Sequence, residues 1–454
     1  MRQCIDYLIG RSDDWLIGCD HQHLIELTEQ LYFKLSQKEI APKILLAERD
    51  SVKFLAGFIA ACAANCPVFL GNPNWVEQEW QQVFEIVQPD VVLGDGDWGL
   101  PNKNYSNETI NSNWIMIPTG GSSGKIRFAI HTWDTLTASV IGFQQYFHLQ
   151  QINSFCTLPL YHVSGLMQFM RSFTTGGKLA IQGFKQLENN EFSKILLNEF
   201  FISLVPTQLQ RLLQDSTSVA LLSQFKTVLL GGAPAWQELL ETARQKNIKL
   251  ALTYGMTETA SGIAILKPQD FLKGENNCGQ TLPHTTITIC SDAGKQLNRN
   301  EIGNIAISSQ SLALGYYPKL FENQDKFKLD DLGFIDEKGY LNIVGRNSNK
   351  IITGGENVYP EEVEAVIRAT NLVKDICVIG VCDRIWGQAV TAIYVKKYRT
   401  VSTNILQALI TDKLTKYKQP KHWIAIEHIP RNSQGKINYK QINLLAREHI
   451  KNIT

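Results

Sequence analysis

Short apolar runs of strand length alternate with amphipathic stretches along most of the chain. The runs at 42–48 (PKILLAE), 66–71 (CPVFLG), 91–95 (VVLGD), 201–206 (FISLVP) and 227–232 (TVLLGG) are bounded by turn residues and read as strands. The stretches 207–215 and 235–246 between them read as amphipathic helices. Strands that alternate with helices predict an α/β fold with mainly parallel sheets. From about 284 the texture becomes β-rich, with TTITIC, GNIAIS and GYLNIVG. The polar GRNSNK segment at 345–350 reads as a linker. After it come a helix (PEEVEAVIRA), two strands (ICVIGV and AVTAIYV), a helix at 405–416 and a basic tail. The pattern therefore predicts a large N-terminal domain over 1–345, built of layered α/β subdomains plus a β-rich part. A linker at 346–349 leads to a small α+β domain over 350–454.

Composition narrows the class. Apolar residues make up 44% and charged residues 19%, which suits a soluble globular protein. The 44 basic and 43 acidic side chains nearly cancel, so there is no electrostatic footprint for nucleic acid or an anionic membrane. Phe54 to Leu70 is the longest apolar stretch, but Asn65 and Pro67 interrupt it and it is shorter than the roughly 20 residues of a transmembrane span. It reads as a buried helix running into a strand. The N-terminus lacks the apolar core of a secretory signal. Nine cysteines without a CxxC pair point to reduced thiols in a cytoplasmic protein. Nothing here decides the oligomeric state, and a homo-oligomer stays open.

Candidate chemistry begins where an apolar strand runs into Thr119-Gly120-Gly121-Ser122-Ser123-Gly124-Lys125-Ile126-Arg127. Glycines let backbone N–H groups turn towards a phosphate, hydroxyls add donors, and two cations close the loop. A kinase-type P-loop is excluded, because Thr119 stands where its first glycine belongs and Ile126 follows the lysine. By itself the segment could also be a surface turn, the less favoured reading. A second motif follows at Tyr254-Gly255-Met256-Thr257-Glu258-Thr259. A glutamate beside phosphates is a natural Mg²⁺ ligand, although a capped loop would look the same.

Together, and in this order, the two motifs resemble the acyl-adenylate-forming superfamily of acyl-CoA synthetases, luciferases and adenylation domains. Five more segments are similar to that superfamily in the expected order. Gly232-Ala233-Pro234 resembles its adenine-side loop, Asp331 its ribose-binding aspartate, and Arg346 the residue just before its interdomain hinge. Gly354-Gly355-Glu356-Asn357 resembles its C-terminal glycine loop, and the Gly435-Lys436 pair its late lysine motif. The first 110 residues carry little of the likeness. Two departures stand out. Ile126-Arg127 replaces the usual Pro-Lys, which keeps a phosphate-binding cation, and Ser348 occupies a hinge position usually held by Asp or Lys.

The resemblance implies an AMP-forming acid–thiol ligase that uses ATP, Mg²⁺ and coenzyme A. It implies a triphosphate held by 119–127, Mg²⁺ on Glu258, and a transition state steadied by Lys436, Thr257 and Arg127. Tyr254, Gly255 and Met256 would contribute to the nucleotide site. A mobile C-terminal lid would swing about 346–349, bringing 354–357 and Trp386 to a pantetheine channel, although Trp386 reads equally as a core residue.

For the acid, the PLYHVSGL segment with His162 and Ser164 is followed by Arg171 on the same apolar, helix-like stretch. A buried arginine needs a partner. A protein carboxylate and a substrate carboxylate are both consistent with the residues. With Thr259 and Ser261 downstream, this combination resembles the o-succinylbenzoate–CoA ligase family of menaquinone and phylloquinone biosynthesis. That likeness implies that one carboxylate is activated while Arg171 holds the other. Other readings are a ligase for a different carboxylic acid, an enzyme that loads a carrier protein, and a nucleotide-binding scaffold without activity. Joint retention of Glu258, Asp331, Arg346 and Lys436 weighs against the scaffold.

Overall fold

The computed structural model describes residues 3–11, 15–94, 112–120, 126–189, 195–323, 326–353, 356–383, 386–414, 416–431 and 435–451. The chain divides into two compact units. One comprises Met1–Gly232, Ala243–Thr286 and Ser308–Phe327; the other comprises Ala233–Thr242, Ile287–Ile307 and Lys328–Thr454.

The first unit contains two large sheets. One has the order Lys319–Leu320, Gly315–Tyr316, Ile126–His131, Ile115–Gly120, Val68–Leu70, Ile44–Leu46, Val91–Leu93. Its last four strands pair in parallel, whereas Ile115–Gly120 and Ile126–His131 form an antiparallel hairpin. The other sheet contains a parallel core of Leu179–Ile181, Asn153–Cys156, Phe200–Leu204, Thr227–Leu230 and Leu250–Met256. Ser261–Ile265 then doubles back antiparallel on Leu250–Met256.

Three helices supply much of the shared core. Ser51–Ala63 starts at Asp50, whose side chain accepts the Lys53 N–H, and buries every residue from Phe54 to Ala63. The Phe54–Leu70 stretch thus forms a buried helix followed by the strand Val68–Leu70, as its length predicts. Helices Trp133–Phe147 and Val163–Thr175 join the same apolar cluster through Phe143, Phe169 and Phe173. Burial of such side chains contributes about 1.5–3 kcal/mol each.

The second unit carries a four-stranded sheet ordered Thr285–Cys290, Gly303–Ser309, Phe327–Ile335, Leu341–Arg346. A further sheet is built on the long hairpin Val373–Asp383 with Gly387–Lys396. Alternation beyond Asp375 buries both faces of that hairpin. Ile376, Val378, Val390 and Ala392 meet Val363 and Ile367 of helix Pro360–Arg368. Cys377, Ile379, Val381 and Ile393 meet Ile442 and Ala446 of helix Tyr439–Lys451.

Two expectations change here. The helix expected at 405–416 ends sooner and spans Thr403–Ile410. The basic tail, to which the sequence pattern assigns no elements, folds into strand His422–Ile426 and helix Tyr439–Lys451. Ile442 and Ala446, four residues apart on one helix face, supply the buried stripe that the surrounding charges obscure.

Candidate active site

Loop 119–127 is framed by the hairpin Ile115–Gly120 and Ile126–His131, which sets Thr119 opposite Arg127 and Gly120 opposite Ile126. The ladder thus brings the two ends of the glycine-rich segment together. Gly121, Ser122, Ser123, Gly124 and Lys125 lie outside the described residues.

Arg127 is exposed, and its guanidinium sits 4.2 Å from the centre of the Tyr316 ring. The Tyr316 hydroxyl donates to Glu258 Oε1 at 2.6 Å. Burial, and then the Glu258 charge, push the Tyr316 phenol well above its ordinary pKa, so it remains a donor. Arg127, Tyr316 and Glu258 therefore form a relay of cation, aromatic ring and carboxylate. Tyr316 had no signal in the sequence, because it lies 58 residues from Glu258 and meets it only through the sheet.

Glu258 belongs to a tightly held turn. Strand Leu250–Met256 carries Tyr254, Gly255 and Met256, with a bulge between Tyr254 and Gly255. A side chain at Gly255 would come within 2.0 Å of the Ser261 carbonyl, so only glycine fits there. Thr257–Thr259 make a 3₁₀ turn, after which Ala260 and Ser261 have φ of 49° and 89°.

Four successive carbonyls of this turn accept bonds from elsewhere in the unit. His131 Nε2 donates to Thr257 O at 2.8 Å, and Ala313 N to Glu258 O at 2.7 Å. Ser311 Oγ donates to Thr259 O at 2.9 Å, and Ser139 Oγ to Ala260 O at 2.7 Å. These bonds hold a left-handed backbone that β-carbon sterics disfavour. His131 is fully buried, and burial lowers its pKa to about 4, although the Thr257 carbonyl pulls the other way. It is therefore neutral at physiological pH, with its proton on Nε2. Thr259 was expected to contact the acid. It is fully buried, and its hydroxyl bonds within the turn, to Met256 and Ser261. Its side chain therefore serves the turn.

Beside the turn lies the helix Val163–Thr175, with His162 at its N-cap position. Ser164 and Arg171 are seven residues apart and so share a helix face. Arg171 is 5% exposed. Its Nη2 donates to Ser261 Oγ at 3.1 Å, and its guanidinium lies 4.3 Å from the centre of the Phe143 ring. Nε is buried without a hydrogen-bond partner. Among the described residues no carboxylate pairs with Arg171, so the protein salt bridge left open by the sequence is absent there. Burial lowers its pKa to about 10, which still leaves it charged at neutral pH. His284, 8% exposed, also has both ring nitrogens buried without a partner, and burial lowers its pKa to about 4.

In the second unit, Asp331 and Arg346 face each other across the strands Phe327–Ile335 and Leu341–Arg346. Arg346 Nε donates to Asp331 Oδ1 at 3.1 Å. The next turn is tied down as well: Ser348 N donates to Asp330 Oδ1 at 3.1 Å, and its hydroxyl donates to Asp330 Oδ2. Gly435 and Lys436 are exposed. Glu356 and Asn357 pair with Thr353 and Ile352 in a short hairpin, whereas Gly354 and Gly355 lie outside the described residues. Trp386 is 40% exposed, with Lys421 Nζ 4.9 Å over its ring, so the core alternative does not hold. Gly232, Ala233 and Pro234 form an exposed segment after strand Thr227–Leu230.

Among the described residues no group of three or more metal-ligating side chains occurs. A single buried carboxylate fits Mg²⁺, which is commonly held by one or two carboxylates together with substrate phosphates. Glu258, already oriented by Tyr316, has that character. Among the described residues no helix is long and apolar enough to cross a membrane.

Comparison with known proteins agrees with this organisation. Residues 37–317 match the family model for the AMP-binding enzyme, and residues 362–436 match that for the AMP-binding enzyme C-terminal domain. The likeness therefore reaches further towards the N-terminus than the motifs alone indicate. The chain is 33% identical to a 2-succinylbenzoate–CoA ligase of Listeria monocytogenes, over 98% of this chain and 89% of that one. It is also 33% identical to one from Geobacillus kaustophilus, over 73% and 69%. Among solved structures, o-succinylbenzoate CoA synthetase (MenE) from Bacillus subtilis in complex with the acyl-adenylate intermediate OSB-AMP has a TM-score of 0.82. That match is 23% identical and covers 96% of this chain and 97% of the other. ATP-bound MatB from Rhodopseudomonas palustris also has a TM-score of 0.82, at 22% identity and 98% coverage of each chain. At these identities the structural matches bear on the fold.

Proposed function

The chain belongs to the AMP-binding enzyme family, and from that premise we propose that it ligates o-succinylbenzoate to coenzyme A through an acyl-adenylate. The products are o-succinylbenzoyl-CoA, AMP and pyrophosphate, which places the enzyme in menaquinone or phylloquinone biosynthesis. The observation that carries the choice of acid is Arg171, a buried guanidinium with no carboxylate partner among the described residues. Burying such a charge is costly unless a partner arrives, and the second carboxylate of a dicarboxylic acid would be that partner.

In the first half-reaction a substrate carboxylate oxygen attacks the α-phosphorus of ATP, and pyrophosphate leaves. Thr119, Gly120 and Arg127, with the intervening loop, bind the phosphates. Tyr254, Gly255 and Met256 form the nucleotide wall, and Gly232, Ala233 and Pro234 take the adenine side. Asp331 and Arg346 bind the ribose. Bound Mg²⁺ on Glu258 would neutralise charge on the triphosphate. Thr257 and Lys436 donate to the oxygens on which charge develops, a stabilisation that works by preorganisation. Arg171, Ser261, His162 and Ser164 hold the acid. In the second half-reaction the CoA thiol attacks the acyl carbonyl, its proton is lost and AMP leaves. Residues 354–357 and Trp386 guide the pantetheine arm. A turn about 346–349 exchanges the two halves, and such steps often set turnover. The free thiols of all nine cysteines suit a reducing, cytoplasmic setting.

The test is ATP–pyrophosphate exchange against o-succinylbenzoate, benzoate, a medium-chain fatty acid and an amino acid. Exchange is expected with o-succinylbenzoate alone. Exchange driven by another acid would keep the ligase and discard this substrate.

A further inference from the structure

The segment that carries Lys436 is closed by bonds from a residue to which no role has yet been given. Arg431 and Ile437 form an isolated antiparallel bridge, and Asn438 N donates to Pro430 O at 2.9 Å. Within this closure Arg431 Nη1 donates to the carbonyl of Gly435 at 2.9 Å, one residue before Lys436. Arg431 Nη2 donates to Asp375 Oδ2 at 2.7 Å. Gly435 has φ of +75°, a conformation suited to glycine. The peptide leading into Lys436 is thus set by a glycine conformation and by a guanidinium.

Asp375 is itself anchored. Its Oδ1 accepts the Ile376 N–H at 2.9 Å. It lies where the register of Val373–Asp383 against Gly387–Lys396 shifts, between Val373 and Asp375. Bulges of this kind re-aim a side chain, and here the carboxylate meets Arg431. The strand behind it is buried on both faces through Ile376 and Cys377. The guanidinium therefore links a rigid hairpin to the backbone beside the lysine. At 33% and 28% side-chain exposure the ion pair alone would stabilise the fold little. Its geometry matters more: the planar fork serves two acceptors at once in a fixed arrangement that a lysine ammonium does not reproduce.

We propose that Arg431, oriented by Asp375, is the positioning residue for Lys436 in the adenylation half-reaction. This rests on the reading above that Lys436 acts in that step. The variants are Arg431→Lys, Asp375→Asn, Lys436→Ala and the double variant Arg431→Lys/Lys436→Ala. Three quantities are measured on the full chain: exchange kinetics, thioester formation from synthetic o-succinylbenzoyl-adenylate plus CoA, and thermal unfolding. Arg431→Lys and Asp375→Asn are expected to lower exchange kcat by roughly 10- to 100-fold, the scale on which ångström misplacement acts. KM for ATP and acid should stay within about twofold, as should thioester formation, with the unfolding midpoint unchanged. In the Lys436→Ala background, Arg431→Lys should add no further loss.

Undiminished exchange in both single variants would overturn the proposal, as would a loss that is additive in the double variant. A loss accompanied by a lowered unfolding midpoint in both would make the pair structural instead. Should Lys436→Ala exchange normally, the role given to Lys436 fails, and the positioning proposal with it; that outcome is read from the single variant.

Discussion

The guanidinium of Arg171 lies 4.3 Å from the centre of the Phe143 ring, within the first unit's apolar core. Stacking on an aromatic face offsets part of the cost of burying the charge, about 0.5–2 kcal/mol. The Ser261 hydroxyl at 3.1 Å satisfies one nitrogen, and Nε is left without a partner. The site is thus charged, apolar-walled and short of one anion.

Arg171→Ala should therefore lower kcat/KM for o-succinylbenzoate by at least about 100-fold, the loss of a desolvated charge-assisted pair. For 4-oxo-4-phenylbutanoate, which lacks the aryl carboxylate, the change should stay within about threefold, because no pair is lost. Steady-state kinetics on the two acids decides it. An equal loss on both would mean that Arg171 supports the fold rather than the second carboxylate.

Tyr316→Phe removes the hydroxyl that Glu258 Oε1 accepts at 2.6 Å and keeps the ring beneath Arg127. A hydrogen bond to a charged group is worth about 1.5–3 kcal/mol. The Mg²⁺ concentration giving half-maximal exchange should rise roughly 10-fold, with little change in KM for the acid. Titrating Mg²⁺ at saturating ATP is the measurement, and an unchanged midpoint would separate Tyr316 from metal binding.

His131 and His284 are buried, and burial lowers both to about 4 from an ordinary 6.5. Between these values the unfolded chain takes up protons that the folded chain refuses. The stability associated with the neutral rings is present above pH 6.5 and is lost as the pH falls towards 4. Their joint slope approaches two protons, about 3 kcal/mol per pH unit. His284→Leu should remove half of it. Urea unfolding at several pH values between 4 and 7, compared with the parent, would contradict this if the two slopes coincide.

Glu364 titrates in the opposite sense. It is 7% exposed, and burial raises its pKa from 4.5 to about 7, with Arg368 at 3.4 Å pulling it back only in part. Its contribution is complete below pH 4.5 and is lost as the pH rises through 7. Glu364→Gln retains an oxygen for the Val378 N–H, bonded at 2.8 Å. The variant should gain on the parent from pH 4.5 to 7, by up to about 3 kcal/mol, and level off above. Stability curves that run parallel across that range would refute it.

The sequence makes much of this legible wherever the information is local. The strand at 68–70, the buried helix before it and the strand that runs into the 119–127 loop follow from apolar runs and glycine punctuation, whereas the antiparallel return of Ile126–His131 does not. Arg171 is visible as a charge in an apolar helix face. The supports of the 257–261 turn are different. His131, Ser139 and Ser311 lie 126, 121 and 52 residues from the carbonyls they hold. Each looks like an ordinary strand, helix or loop residue until the sheets bring it there. Arg431 lies just before the late lysine motif, but its partner Asp375 is 56 residues away and is aimed by a bulge that no composition signals. Helix Tyr439–Lys451 was hidden because Lys440, Arg447 and Glu448 surround the few apolar residues it buries.

The hairpin Val373–Asp383 with Gly387–Lys396 also constrains how this protein can diverge. Successive residues serve two different cores, so inserting or deleting one residue within a strand would exchange the two sets. Ile376 and Val378 would turn towards Ile442, while Cys377 and Ile379 would turn towards Val363. Length changes should therefore be confined to the connections, such as the exposed Tyr398–Thr400 turn. Sequence drift within the regularly alternating part of the strands, away from the bulge beside Asp375, should proceed by substitution alone.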